Sequence, residues 1–279
     1  MTIHEPEIKT EDILKIEDDQ FKPDNVCIVT GCGTGIGRAV SVAAAANNLT
    51  VAGIDINDEA GKKTEEMVRQ IGGEMVFIQA DLTNDDDIVR SVLEASGKGS
   101  IKFLANIAGI QHIDSIENFP MEKYDLMQQL MLRAPFFLSK LVIPHMKASA
   151  DKTGVIANMA SIHAHICTVN KPVYNITKFG LRALSQSISA EGQGKIRSFT
   201  VSTGFVQTPL AMNQVAAQAE QRGMTEEQVI TDVMMGKSRV KEMMTPIEVA
   251  NIFIYGFSRY AGYLVGGDLL FDGGSVLTY

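Results

Sequence analysis

Asn25-Val26-Cys27-Ile28-Val29-Thr30-Gly31-Cys32-Gly33-Thr34-Gly35-Ile36-Gly37-Arg38 is the stretch that decides the fold. A β-branched apolar run ends in closely spaced glycines and passes directly into a helical pattern, which reads as strand, tight turn and helix. Small residues let the backbone approach a pyrophosphate, whose charge free N–H groups and the positive end of the next helix can hold. Gly31, Thr34, Gly35, Ile36 and Gly37 are therefore the candidate phosphate cradle. A glycine-rich turn alone is weak evidence, because a plain turn needs the same residues. The context strengthens it, since a second strand ends on Asp55, 24 residues after Gly31. A carboxylate there accepts hydrogen bonds from the ribose hydroxyls of NAD and repels the 2′-phosphate of NADP. No Lys or Arg lies just beyond Asp55, and Arg38 comes only after the last glycine, so NAD is the expected cofactor.

Outward from this stretch, short apolar runs alternate with longer helical patterns, the signature of βαβ units in a parallel sheet. The expected strands are Val26–Thr30, Thr50–Asp55, Met75–Gln79, Lys102–Asn106, Val155–Met159, Ile196–Ser202 and Asp268–Phe271. Helices are expected near Gly35–Asn48, Glu59–Ile71, Asp85–Ala95, Met121–Ser149, Val173–Glu191 and Thr245–Phe257. No linker breaks the alternation. The fold class is thus α/β: one Rossmann-like, doubly wound domain over residues 25–279, with a seven-stranded parallel sheet. Leu210–Lys241, rich in Met and Gln, follows the sixth strand on the side of the ligand crevice and reads as a helical substrate lid. Residues 1–24 form an extension. It carries Glu5, Glu7, Glu11, Asp12, Glu17, Asp18 and Asp19, with Ile8, Ile13 and Ile16 spaced as one or two helical turns, and is either mobile or docked.

Composition narrows the function classes. The 279 residues are 45% hydrophobic and 21% charged, ordinary for a globular chain. A net charge of −8 argues against nucleic acid or an anionic membrane as the main partner. Three cysteines (Cys27, Cys32, Cys167) make no disulfide framework and no metal cluster, which fits a reducing cytoplasm with no metal site. No stretch reaches the ~18 apolar residues that span a bilayer.

Tyr174 and Lys178 lie four apart at the start of an expected helix, hence on one face. Ser161 closes the segment Asn158-Met159-Ala160-Ser161, 13 residues upstream of Tyr174. A free phenol titrates near ~10, so a nearby ammonium must lower it before it can act as a base at pH 7. A serine hydroxyl can then hold the substrate oxygen while tyrosine exchanges its proton and hydride moves to a nicotinamide.

These residues resemble the short-chain dehydrogenase/reductase family over Asn25 to Gly274. Thr30–Gly37 is similar to its TGxxxGIG, Tyr174–Lys178 to its YxxxK, and Ser161 stands at its catalytic serine. Asp81-Leu82 resembles its adenine-contacting pair. Asn106-Ile107-Ala108-Gly109 resembles its NNAG, with Ile107 in place of the second asparagine. Gly204–Pro209 resembles its PGxxxTP, with Thr203 replacing proline, which implies Val206 and Thr208 near the nicotinamide. Gly266–Gly274 resembles its closing strand and turn. The resemblance thus implies cofactor contacts from Asp81, Leu82, Asn106, Ala108, Gly109, Tyr174, Lys178, Val206 and Thr208. It also implies a homotetramer. One departure matters: Met131 stands where the family has an asparagine holding a water that leads to the lysine, and a thioether is at best a weak acceptor.

The lid, from Gln218 through Glu227 to Lys241, and Gly109-Ile110-Gln111-His112 are similar to the 3-hydroxybutyrate dehydrogenase branch. That likeness implies that Gln111, His163, Lys171 and Gln214 hold a substrate carboxylate. The physics agrees for Lys171, a cation placed three residues before Tyr174. Isolated His112 reads as a satisfied core histidine. The expected activity is hydride exchange between NAD and a small hydroxy acid, with (R)-3-hydroxybutyrate foremost. Two rivals stand beside it: a short-chain dehydrogenase for another small hydroxy acid or alcohol, and an NAD-binding regulatory protein silenced at Met131.

Overall fold

A computed structural model describes residues 6–277; Met1–Glu5 of the extension, with Thr278 and Tyr279, lie outside the described residues. Seven parallel strands run in the order β3-β2-β1-β4-β5-β6-β7. They are β1 (Asn25–Thr30), β2 (Thr50–Asp55), β3 (Glu74–Gln79), β4 (Ser100–Asn106), β5 (Gly154–Met159), β6 (Ile196–Thr203) and β7 (Asp268–Phe271). The chain winds outward from β1 to β3 and then crosses to β4 on the other side of β1. That reversal splays the connections after β1 and β4 apart and opens a crevice at their carboxyl ends.

Both faces of the sheet are covered, so its central strands are buried on both sides, and β1 and β5 read as largely apolar runs. On one face, α1 (Gly35–Ala46) and α9 (Pro246–Phe257) pack Val40, Ala44, Ile254 and Phe257 against Val29, Phe103 and Phe199. On the other, α3 (Asp85–Ser96) and α5 (Ala134–Ala148) pack Ile88, Val92, Leu138 and Val142 against Ile28, Leu104 and Ile156. Helix α2 (Asp58–Gln70) lies on β3 and α6 (Pro172–Gly192) on β6.

The expected helix Met121–Ser149 is not continuous. It divides into α4 (Met121–Gln128), a π turn at Gln129–Arg133, and α5. Pro135, in the first turn of α5, has no N–H to return to the carbonyl four residues back, so the ladder widens and Ala134 N–H bonds to Gln129 O instead. The lid is also less helical than expected. It consists of α7 (Pro209–Arg222), a short α8 (Glu226–Gln228) and a π turn (Val229–Met234) around a small core of its own that includes Val215, Val229, Met234 and Met235. From there the chain folds back, and Val240 N–H bonds to Gly273 O at 3.0 Å.

From residue 6 on the extension is docked, and among its described residues the helical turns expected reduce to one 3-10 turn at Thr10–Asp12. Ile13 and Phe21 are buried, with Phe21 edge-on to Phe103 at 5.7 Å. Leu14 N–H donates to Asn251 Oδ1 at 2.8 Å and Ile16 N–H to Asn47 Oδ1 at 2.9 Å, which seats the segment across α9 and the end of α1.

Candidate active site

Two cavities meet at the carboxyl ends of the strands. The larger, about 440 Å³, runs along the glycine turn and is lined by Gly31, Thr34, Gly35, Ile36, Gly37, Asp55, Asp81, Leu82, Ala108, Gly109 and Thr208. Gly31 has φ +68°, and a Cβ on Gly37 would stand 2.0 Å from Gly31 O, so the turn closes only with glycine at both places. The N–H groups of Ile36 and Gly37, in the first turn of α1, bond to no group among the described residues. These are donors left over by the helix start, and they suit a phosphate. Thr30 was not singled out by sequence; its Oγ1 accepts from Ile107 N–H at 2.8 Å and Ala108 N–H at 3.1 Å, clamping the two cleft-forming turns together.

Asp55 is held by the turn itself. Its Oδ2 accepts from Gly33 N–H at 2.8 Å and its Oδ1 from Asn57 N–H at 2.9 Å, which fixes the carboxylate at the cleft wall. The Arg38 guanidinium donates to Gly33 O and to Thr64 Oγ1, so it bonds the same residue that anchors Asp55, closer than its place in the sequence suggested. Asn106 is the one expected cofactor residue that the structure brings to neither cavity. Its Nδ2 donates to Asn158 Oδ1 at 2.8 Å, and Asn158 Nδ2 donates to Ser185 Oγ, so Asn106 ties β4 to β5 beneath the cleft.

The smaller cavity, about 130 Å³, is lined by Gln111, Ser161, His163, Lys171, Tyr174, Lys178, Val206 and Gln214, with Met131 in its wall. Ser161 follows β5. Tyr174 and Lys178 sit on the first two turns of α6, which Pro172 starts with its missing N–H where none is needed. Burial pushes the Tyr174 phenol up to about 12, against the nearby Ser161 hydroxyl, which favours the phenolate. Lys178 Nζ lies 5.2 Å from the Tyr174 ring centre and donates to Met159 O at 2.6 Å; burial pulls it down to about 8. Met131, 1% exposed, packs with Met127, Val173 and Tyr174. The sulfur therefore fills space beside the phenol and offers it no polar partner.

Burial also pulls the Lys171 ammonium down to about 8, in the same pocket. Gln214, from the lid, donates through Nε2 to Gln111 Oε1 at 2.6 Å, while Gln111 Nε2 is buried with no partner. An unpaired buried donor is costly, so a ligand acceptor here would relieve it. His163 lines the same pocket. Burial first, then Lys171 and Lys178, push it down to about 3, so it is neutral. Its Nδ1 pairs with Ser161 Oγ at 3.1 Å and its Nε2 with Thr168 Oγ1 at 2.9 Å, leaving no free ring nitrogen for a carboxylate. His112, expected to be satisfied, stacks edge-on to Phe119 at 5.2 Å but leaves Nε2 unpartnered.

The family model described as short chain dehydrogenase matches residues 25–219. A D-beta-hydroxybutyrate dehydrogenase of Rhizobium meliloti (strain 1021) is 31% identical over 251 residues, covering 88% of this chain and 96% of that protein. Another protein of that name, from Cupriavidus necator, is 29% identical over 89% of this chain and 96% of its own length. A solved structure from Beutenbergia cavernae, described as a putative NAD(P) dependent gluconate 5-dehydrogenase with bound NADP, superposes with a TM-score of 0.82. At 22% identity, covering 93% of this chain and 100% of that one, it shows the fold alone.

Proposed function

The chain belongs to the short chain dehydrogenase family and is an oxidoreductase that binds a nicotinamide cofactor; from that premise we propose that it exchanges hydride between NAD and a small hydroxy acid, with (R)-3-hydroxybutyrate and acetoacetate as the pair. The observation that carries this reading is Lys171. A partly buried ammonium in a 130 Å³ pocket with Ser161 and Tyr174 calls for an anion within a few bonds of the reacting carbon. Gln111 and Gln214 extend the grip with neutral amides, and the names of the relatives support the same acid. His163 is left out of the grip because both its nitrogens are taken.

Ser161 holds the substrate oxygen and Tyr174 exchanges the proton. Lowering the buried phenol from about 12 to neutrality takes ~7 kcal/mol of preferential phenolate stabilisation. One ammonium at ~5 Å supplies only ~3 kcal/mol at an effective dielectric of ~20. Lys178 therefore does part of the work, the Ser161 hydroxyl adds to it, and the remainder falls to the oxidised nicotinamide, which when bound supplies a positive charge and the hydride acceptor. Asp55 favours NAD by accepting from ribose hydroxyls and repelling a 2′-phosphate, and Arg38 is the nearby cation against which that preference is measured. A reducing, cytoplasmic setting and a homotetramer complete the proposal; no described helix is long and apolar enough to cross a membrane.

A steady-state assay with NAD or NADP and a panel of 3-hydroxy acids, alongside uncharged secondary alcohols, tests the reading. High kcat/KM for a short 3-hydroxy acid with NAD is expected. Preference for the uncharged alcohols would overturn it.

A further inference from the structure

A three-residue 3-10 turn does not hold its own place in a fold, because nucleating a helical turn is unfavourable and so short a piece adds no further bonds. The turn Ile162–Ala164 follows Ser161 directly, and Ile162 and His163 both line the small cavity. His163 Nδ1 pairs with Ser161 Oγ at 3.1 Å, so the orientation of that hydroxyl depends on where the turn sits. Two groups from other elements fix it. Arg182, on α6, donates to Ala164 O at 2.8 Å and to His165 Nδ1 at 3.5 Å. On the other side of the ring, His165 Nε2 meets Asp268 Oδ2 at 2.8 Å, at the first residue of β7. We propose that His165 is a positioning residue for the reaction: with Asp268 and Arg182 it clamps the turn Ile162–Ala164 and thereby holds the Ser161 hydroxyl where the substrate oxygen needs it.

The partners fix the tautomer of the ring. A guanidinium only donates and an ionised carboxylate only accepts, so Nδ1 accepts from Arg182 and Nε2–H donates to Asp268. The far end of the clamp is rigid. The Asp268 side chain is 9% exposed, so its carboxylate has to be satisfied by protein groups. Its Oδ1 accepts from Thr200 Oγ1 and from Ser202 Oγ, the latter at 2.7 Å, and both donors are buried on β6. Ser202 is followed by Thr203 and Gly204, which line the small cavity. The clamp therefore ties the turn that carries His163 to the strand that supplies another wall of the same pocket. His165, Arg182 and Asp268 do not line that cavity themselves, so their effect passes through Ser161, a role that rests on the dehydrogenase reading above. Lys171 is anchored separately, by its carbonyl at the start of α6, so the clamp bears on the reacting oxygen and not on the carboxylate grip.

His165→Leu removes both ring bonds, and His165→Gln returns a donor at the place of Nε2. Single-turnover hydride transfer is followed by absorbance in wild type and both variants, with NAD and either (R)-3-hydroxybutyrate or an uncharged secondary alcohol. A reacting group misplaced by about 1 Å costs on the order of 10²-fold in rate, so at least about a tenfold slowing is expected in His165→Leu, for the acid and the alcohol alike. NADH affinity, read by fluorescence, should change less than about threefold, and His165→Gln should stay within about threefold of the wild-type rate. An unchanged rate in His165→Leu, a loss confined to the acid, or no rescue by glutamine overturns the proposal. Should His165→Leu not fold, His165→Asn, whose amide is too short to reach Asp268, carries the same expectation. A second readout uses the ligand-free protein. ¹⁵N histidine spectra at pH 8 are expected to show His165 protonated at Nε2 alone, and the His163 Nδ1 signal shifted in His165→Leu. A His165 ring protonated at Nδ1, or a His163 signal unmoved by His165→Leu, overturns the clamp whatever the substrate is. If wild type oxidises no hydroxy acid or alcohol, the functional reading has failed, and these spectra alone decide the clamp.

Discussion

Lys171→Met keeps the aliphatic stem and removes the charge. The backbone consequence is small, because the bond Lys171 makes at the start of α6 is through its carbonyl, which accepts from Asn175 N–H at 2.9 Å. A hydrogen bond to a charged group contributes ~1.5–3 kcal/mol, against ~0.5–1.5 for a neutral pair. At about 1.36 kcal/mol per factor of ten, kcat/KM for 3-hydroxybutyrate should fall roughly ten- to 150-fold. The loss should appear mainly in KM, since Lys171 binds an end of the substrate that does not react. An uncharged secondary alcohol should be a poor substrate for wild type and should hardly respond.

The depressed position of Lys171, about 8, adds a pH test. The cation is present below that value and lost above it, so carboxylate binding is held at pH 7 and weakens as pH rises through 8. Each further pH unit removes about a factor of ten of the charged free enzyme. The advantage of wild type over Lys171→Met should therefore shrink toward pH 10, when KM is measured for both across pH 6.5 to 10. If the substitution slows the acid and the uncharged alcohol equally, or if the advantage persists above pH 8, Lys171 acts through the placement of α6 and the hydroxy-acid assignment loses its main support.

Tyr174→Phe should lower kcat at least ~10²-fold while NADH affinity, read by fluorescence, changes little, because the lost hydroxyl moves a proton and holds no fold element; substantial residual turnover would point to another acid. In Asp55→Ala the ratio of kcat/KM for NAD over NADP should drop toward unity, because the carboxylate that would repel a 2′-phosphate is gone; an unchanged ratio would remove Asp55 from cofactor choice. Met131→Asn should keep or raise turnover by adding a polar group beside the phenol, and a large loss would show that the packing of Met127 and Val173 depends on the thioether. Phe21→Ala should cost ~3–5 kcal/mol in urea unfolding, because the ring is buried against Phe103; a cost below ~1 kcal/mol would mean that the docked extension holds nothing.

What could be read in advance was what the chain states locally. Gly31 and Gly37 are demanded by backbone contacts within one turn, and Tyr174 with Lys178 by one face of one helix, so sequence spacing carries both. The strand pattern was legible for a similar reason, since burial on both faces makes central strands such as β1 and β5 short, largely apolar runs. What spacing did not announce involves partners distant along the chain or a bond that is missing. The break before α5 turns on one absent N–H at Pro135, which leaves the apolar periodicity around it almost unchanged. Asn106 resembles a cofactor residue in its motif; its Nδ2 is claimed by Asn158, 52 residues away, while its Oδ1 is buried without a partner. The docked extension depends on Asn47 and Asn251, which only the fold brings to it.

His163 is the most instructive of these cases, because its neighbours in the fold include two lysines and a phenol that its neighbours in sequence do not announce. A histidine near a candidate carboxylate grip invites the reading of a donor. Burial beside two cations makes it neutral, and Ser161 and Thr168 then take one nitrogen each.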